Sequence, residues 1–303
     1  MIEVLRPGLQ TTVQDLGRPG FRAAGVPAGG AMDPWAARAA NRLVGNPDGA
    51  ALLEVLLAGP ALRFAAPRAA AWVGGGLEGA AGGRRLAAGQ AHLLGAGEVL
   101  ELGRTPDGAR SWVAVAGGLD LPRVLGSRAT DLAGGFGGLD GRALAAGDRL
   151  PLGAGAPFRA RRLAAPAAAA EGPLRVLAGP DLGAGVALAD LLAGEWRVSA
   201  SSDRRGVRLE GAAPRAGAAD ELRSQGVLPG ALQWLPSGGL IALGADAPVT
   251  GGYPWIAQLI EADVARLAQL APGARVRFAA VDLERAAAAL AERERALAAA
   301  VVE

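Results

Sequence analysis

The 303-residue chain contains no cysteine, no lysine and a single histidine. Each absence removes a class of chemistry. Without cysteine there is no thiolate nucleophile, no thiolate metal site and no disulfide. Without lysine there is no Walker-A phosphate lysine, no Schiff base and no biotinyl-lysine. His92 alone cannot build a multi-histidine metal centre, so no metal site is expected, and a Ser-His-Asp triad would have only that residue to work around. No apolar run approaches the roughly 18 residues of a spanning helix, and the opening MIEVLRPG lacks a charged-then-apolar leader pattern. The sequence therefore reads as soluble and cytoplasmic, with no membrane partner. Catalysis is left to Asp, Glu, Arg, Tyr, Ser, Thr, backbone amides or a partner protein.

The charge balance excludes a second class. The pI is near 10.1, yet 31 basic residues, all arginine, face 29 acidic ones, and the net charge is only +2. The high pI records the choice of arginine rather than a basic face, and no nucleic-acid partner is expected. What is abundant is apolar: 51% of the residues, enough for a sizeable core in one large or two ordinary domains.

Short apolar runs punctuated by glycine fall at 52–57, 61–64, 70–73, 91–94, 98–102 and 111–116, and again at 174–177, 196–199, 207–209, 231–235, 240–243 and 275–278. Four- to seven-residue runs with frequent turn glycines predict antiparallel sheets closed into barrels or sandwiches. The Ala/Pro-biased segment 161–173 marks the boundary between halves at 1–165 and 170–303. Four helices are expected. Asp33 caps the first, Pro34 fits its first position, and Trp35, Ala39 and Leu43 share a face before Gly45 and Pro47 stop it. The others span 185–192, 263–270 and 282–299, the last with Leu283, Leu290 and Leu297 in seven-residue steps that place it along a surface groove or a partner.

GGGLEG at 74–79 satisfies a dinucleotide pattern, but no helix opens after it, so it reads as a turn. His92 lies in an alternating strand and reads as structural. The span 9–35 (LQTTVQDLGRPGFRAAGVPAGGAMDPW) differs: it is glycine-rich, sparsely charged and too long for a hairpin loop. There Gln14, Asp15 and Arg18 converge on a ligand, or Asp15 and Arg18 form an ion pair that staples the turn. A second cluster, TGGYPW at 250–255, pairs glycines that admit close backbone approach with Thr and Tyr hydroxyls. SSDRRG at 201–206 and SQGVLPG at 224–230 are weaker, being ordinary turn chemistry.

In order, GLQTTVQDLGRPGF (8–21), GVPAGGAMDPWAARAANRLVGNP (25–47), the segment 114–150, SDRRGVRLEG (202–211), SQGVLPGALQ (224–233) and the segment 247–273 resemble one family. That family comprises the C subunits of bacterial 5-oxoprolinase, also described as allophanate hydrolase subunit 2 or the biotin-dependent carboxyltransferase family. The resemblance implies a mainly β fold with a few helices, built as two cyclophilin-like β-barrel halves. It also implies partner subunits A and B that open the lactam of 5-oxo-L-proline to L-glutamate at the expense of ATP. ATP is used by the complex without being required on this chain, and no biotin is carried here. The same fold serves as the carboxyltransferase half of urea carboxylases, and related pairs act as regulators of a kinase inhibitor.

These substrates are planar amides whose oxygen gains negative charge on attack, so one cleft of amide-directed donors suits them all. On that expectation Arg18 and Arg204 grip a substrate carboxylate or phosphate. Gln14, Gln225 and Thr250 bond the amide edge, Gly251 and Gly252 bring backbone close, and Asp15 or Tyr253 handles a proton. Arg204-Arg205-Gly206 stands where relatives show Arg-Met-Gly, and the spacing places Arg204, not Arg205, at the family arginine.

Overall fold

The computed structural model describes residues 1–165, 172–181, 188–211 and 222–303. Contacts divide the chain into two compact units, one of Met1–Arg18, Gly29–Ala169 and Arg295–Glu303, the other of Pro19–Ala28 and Ala170–Glu294.

In the first unit two sheets share one core. The six-stranded sheet runs Arg149–Leu150, Ile2–Arg6, Ala61–Phe64, Val99–Leu102, Gly79–Ala81, Arg84–Leu86; the five-stranded sheet runs Gln10–Gln14, Leu52–Leu56, Arg110–Val115, Arg68–Val73, His92–Leu94. Alternation decides which side chains point inward: Ile2, Val4, Leu62, Phe64 and Leu100 from one sheet meet Val13, Leu53, Val55, Trp72 and Val113 from the other. Each such side chain, fully buried, contributes roughly 1.5–3 kcal/mol. Arg110–Val115 is buried at every position because its second face lies beneath the helix Pro34–Leu43. That helix starts as the sequence dictates, with Asp33 Oδ1 accepting from Trp35 N and Ala36 N at 3.0 Å each.

The second unit is an eight-stranded sheet in the order Arg275–Val276, Trp196–Val198, Gly206–Gly211, Leu240–Leu243, Ala231–Trp234, Trp255–Leu259, Leu174–Ala178, Phe278–Ala280. Its two edge strands are separated by Arg277 alone, so consecutive residues pair with opposite edges and the sheet is a nearly closed barrel. Inside it Trp196 and Trp234 meet edge to face at 6.1 Å. The mainly β, barrel-forming fold expected from the sequence is the fold observed, with four α-helices among the described residues.

Three helix expectations shift. The helix expected at 263–270 starts earlier, as Glu261–Val264 followed by the 3-10 turn Ala265–Gln269, and Asp263 within it accepts three bonds from Arg175 on its carboxylate. The helix expected at 185–192 is seen as Leu188–Ala193; positions 185–187 lie outside the described residues, as do 166–171 of the boundary segment. The last helix, Leu283–Ala298, buries its leucine heptad only toward its C-terminal end, Leu290 being half-buried and Leu297 buried. Leu283 is 74% exposed, whereas Ala289 and Leu297 are buried. An α-helix drifts about 20° per heptad, and the face that packs here is set by Ala286 and Ala289 against Ile260 and Ala262.

Among the described residues no helix is long and apolar enough to cross a membrane, and no group of three or more His, Cys, Asp or Glu is placed to hold a metal ion.

Candidate functional site

The sheet strand Gln10–Gln14 delivers the first candidates. Gln14 is fully buried, its Nε2 donates to Thr12 Oγ1 and to the Thr130 carbonyl at 3.2 Å each, and its Oε1 has no partner. The chain then turns on Asp15. Its Oδ1 accepts from Gly17 N at 2.8 Å and Ser127 Oγ at 2.6 Å, and its Oδ2 accepts from Arg128 N at 2.6 Å. Both carboxylate oxygens are thus spent on tying the turn to 127–128, and no Asp15–Arg18 ion pair forms.

Arg18 is 1% exposed. Its Nη2 donates to the Ala129 carbonyl, its guanidinium carbon stands 4.8 Å from the Phe136 ring centroid, and Nε and Nη1 are buried without a partner. Thr130, whose N and Oγ1 both donate to the Val13 carbonyl at 2.9 and 3.0 Å, locks this segment beside the strand. Gly137 is obligatory there: at φ +71, a Cβ would stand 2.1 Å from the Ala129 oxygen and 3.0 Å from Arg18 Nη2. The sequence reading missed Phe136 and its loop, although GGFGGLDG at 134–141 was a visible signal.

In the second unit the other candidates gather on a small ribbon. Gln225–Gly226 pairs with Thr250–Gly251, Gln225 opposite Gly251, and Gly252 extends it by accepting from Leu222 N at 2.9 Å. Gln225 Nε2 donates to Asp181 Oδ2 at 2.5 Å, and the same oxygen accepts from Trp255 N at 2.9 Å. A Cβ on Gly251 would meet Gln233 Nε2 at 2.5 Å; that amide donates to the Tyr253 carbonyl at 3.2 Å. Thr250 is exposed and Tyr253 half-buried, and the Tyr253 hydroxyl has no hydrogen-bond partner among the described residues. Arg22 reaches this ribbon by donating to the Val227 carbonyl. Asp181, Gln233 and Arg22 carried no sequence signal that set them apart.

Arg204 behaves differently from Arg18. Its Nε and Nη2 donate to Asp246 Oδ2 and Oδ1 at 2.7 and 2.8 Å, and both side chains are 5% exposed or less. The neighbouring Arg205 is exposed beside Asp203. The structure separates the two arginines as the spacing did, but commits Arg204 to a carboxylate of its own chain. GGGLEG at 74–79 is a turn with Gly74, Gly75 and Gly76 at positive φ, and the His92 ring bonds the Ala87 carbonyl at 2.8 Å and packs on Trp72.

The site residues thus fall into two groups, Gln14, Asp15 and Arg18 in one unit and Gln225, Thr250, Gly251, Gly252 and Tyr253 in the other. The first offers buried cationic donors beside an amide acceptor; the second offers hydroxyls and a carboxylate-anchored amide.

With that geometry in hand, known proteins are informative. The family described as "Carboxyltransferase domain, subdomain A and B" matches residues 24–280. The C subunit of the 5-oxoprolinase of Escherichia coli (strain K12) is 39% identical over 302 residues, covering 97% of this chain and 96% of that protein. A crystal structure of TTHA0988 superposes with a TM-score of 0.83 at 37% identity, over 92% of this chain and 56% of that one. The K. lactis urea amidolyase superposes with a TM-score of 0.86 at 28% identity, over 98% of this chain but 20% of that one. This chain therefore spans just over half of the one polypeptide and a fifth of the other. By residues 24–280, most of its length, the chain belongs to the carboxyltransferase family of subdomains A and B.

Proposed function

We propose that this chain is the C subunit of an ATP-dependent 5-oxoprolinase, which with partner subunits A and B opens the lactam of 5-oxo-L-proline to L-glutamate. The observation that carries the reading is the 39% identity to the C subunit of a 5-oxoprolinase over 97% of this chain and 96% of that protein.

The site supports amide chemistry. Hydrolysis of a lactam adds water across the C–N bond, and negative charge develops on the carbonyl oxygen, where preformed donors lower the barrier most. Arg18 keeps Nε and Nη1 free for such a ligand and Gln14 keeps Oε1. Asp15, with three donors on its carboxylate, positions the Arg18 turn. Tyr253, whose hydroxyl has no partner among the described residues, is the group suited to pass a proton. Arg204 supports the second unit through Asp246. Without lysine this chain holds no biotin and no P-loop lysine, so ATP is used by the complex, bound on a partner or here by groups other than lysine.

The test mixes the purified chain with subunits A and B and follows ATP-dependent glutamate release. Glutamate release that is undiminished when this chain is omitted refutes the reading. The likeness to K. lactis urea amidolyase favours a second reading, the carboxyltransferase half of a biotin-dependent urea or amide carboxylase. Carboxylation of urea with a biotin carrier, and no glutamate release, would establish it instead. Capture of a kinase inhibitor with neither activity would point to a regulatory subunit.

A further inference from the structure

Tyr253 is the one tyrosine of the chain, and the segment that carries it, TGGYPW at 250–255, has little rigidity of its own. Glycine opens the range of backbone states, so a side chain that follows Gly251 and Gly252 keeps one position only if its backbone is held from outside. The holds are present. Gly251 pairs with Gln225, the Gly252 carbonyl accepts from Leu222 N at 2.9 Å, the Tyr253 carbonyl from Gln233 Nε2 at 3.2 Å and the Pro254 carbonyl from Trp234 N at 2.9 Å.

Asp181 closes this set. Its backbone N donates to the Trp255 carbonyl at 3.1 Å, and its Oδ2 accepts from Trp255 N at 2.9 Å, so residue 255 is gripped at both of its main-chain polar groups. The same oxygen accepts from Gln225 Nε2 at 2.5 Å. One carboxylate oxygen thus links the partner strand of Gly251, two positions before Tyr253, to Trp255, two positions after it. Bonds to an ionised acceptor are about twice as strong as neutral ones. The close approach is built into the backbone: a Cβ on Gly179 would stand 2.2 Å from the Trp255 oxygen.

A carboxylate only accepts, so it turns the Gln225 amide with its nitrogen toward Asp181. Gln225, expected from the sequence to bond an amide edge, here has that nitrogen on the clamp. The bonds to Gly251, Gly252, Tyr253 and Pro254 all fall on the main chain. The Tyr253 side chain is left out of them: the residue is half-buried, and its hydroxyl has no hydrogen-bond partner among the described residues. The clamp therefore fixes where the hydroxyl is presented and leaves it free to react.

We propose that Asp181 is a positioning residue for Tyr253: acting through Gln225 and Trp255, it holds residues 251–255 so that the tyrosine hydroxyl stands in one place for proton transfer. This rests on reading Tyr253 as the proton-handling group of a subunit that opens an amide, and it adds the residue that aims that group.

The test replaces tyrosine by 3-fluorotyrosine, which labels position 253 alone, in the full chain by itself and in the complex with subunits A and B. We expect a fluorine resonance displaced from that of the free amino acid. Asp181→Ala should broaden it and move it toward the free value; a role in stability alone would lower the urea midpoint and leave the native resonance where it is. In the complex Asp181→Ala should lower kcat about 10- to 100-fold and change KM less than about threefold, the signature of a misplaced reacting group. Asp181→Asn, which keeps an oxygen for both donors, should restore most of the loss. Tyr253→Phe should lower kcat about 100-fold or more, and adding Asp181→Ala to it should lower kcat no further, because a residue acting through the hydroxyl has nothing left to aim. If Asp181→Ala does not fold, Gln225→Ala removes one of the two donors and should move the resonance in the same way. An unmoved resonance in whichever variant folds overturns the proposal, as does an Asp181→Ala loss that persists undiminished in the Tyr253→Phe background. A complex that releases no glutamate refutes the proposed function, and the fluorine spectra then decide the positioning on their own.

Discussion

The buried pair Arg204–Asp246 offers a sharp test of what the second unit does with its arginine. Two parallel bonds of 2.7 and 2.8 Å join side chains that are 5% and 4% exposed, and Asp246 N donates back to the Arg204 carbonyl at 3.1 Å. Truncating one member strands the other charge in the barrel wall, which costs about 3–5 kcal/mol, whereas removing both costs far less. Arg204→Ala and Asp246→Ala should each lose about that much stability. Arg204→Met combined with Asp246→Leu should cost at most about half of what either single truncation costs, far less than the two summed. The assay is equilibrium urea unfolding followed by tryptophan fluorescence, since Trp196 and Trp234 meet in the core of the same unit. Should Arg204→Ala unfold at the wild-type urea concentration, within about 0.5 kcal/mol, while the reconstituted complex loses turnover, the pair is no structural clamp. Arg204 would then be a substrate residue.

Further outcomes follow from single positions. Gly141→Ala places a Cβ 2.1 Å from Gly135 backbone at φ +68; we expect a loss of about 1–3 kcal/mol and weaker ligand binding, read by denaturation and calorimetry. Asp263 titrates low. Its burial opposes ionisation, but bonds from the Arg175 side chain and backbone and the charge of Arg266 outweigh it. A depressed folded pKa stabilises fully above the unfolded value of about 3.9 and is lost as pH falls below it. Asp263→Asn should therefore lower the urea midpoint at pH 7 and flatten its decline below pH 4; an unchanged acid limb would contradict this. Leu297→Ala should cost about 2–5 kcal/mol, and Leu283→Gln no more than about 0.5 kcal/mol. Equal costs would contradict the difference in burial between the two leucines.

Most strands were legible because glycine marks their ends: the runs read at 61–64 and 240–243 are the observed Ala61–Phe64 and Leu240–Leu243. Asp33 was legible as a cap since its bonds are local. What failed was non-local. The helix expected to start at Asp263 starts before it, and Asp263 is held instead by Arg175, 88 positions away. Along the last helix Leu283 is exposed while Leu297 is buried, and Ala286 and Ala289 pack on Ile260 and Ala262, a distinction that seven-residue spacing alone does not carry. In the site, Gln14 and Arg18 stood out because polar groups in a sparsely charged span have no obvious solvent role. The Phe136 loop did not, since a glycine run reads as a turn whether or not it covers anything. Asp181 and Asp246 could be found only through their partners, 44 and 42 positions away.

Arg18 and Arg204 carry the same guanidinium, the same depth and the same sequence expectation, and a carboxylate separates their meaning. Where Asp246 answers Arg204, the charge is absorbed into the barrel and the site gains rigidity, not binding power. At Arg18 the nearest carboxylate in sequence, Asp15, turns away to hold Gly17, Ser127 and Arg128. The turn is thereby rigid while the cation it presents stays unneutralised. With folded chains stable by only about 5–15 kcal/mol, an unpaired buried charge is affordable only where something outside the chain completes it. Among the described residues, buried side-chain atoms without a partner occur at Gln14, Arg18, Arg68 and Gln258, and of these only Arg18 is a charge buried to within 1%, which is why it is the position where an anion would matter most.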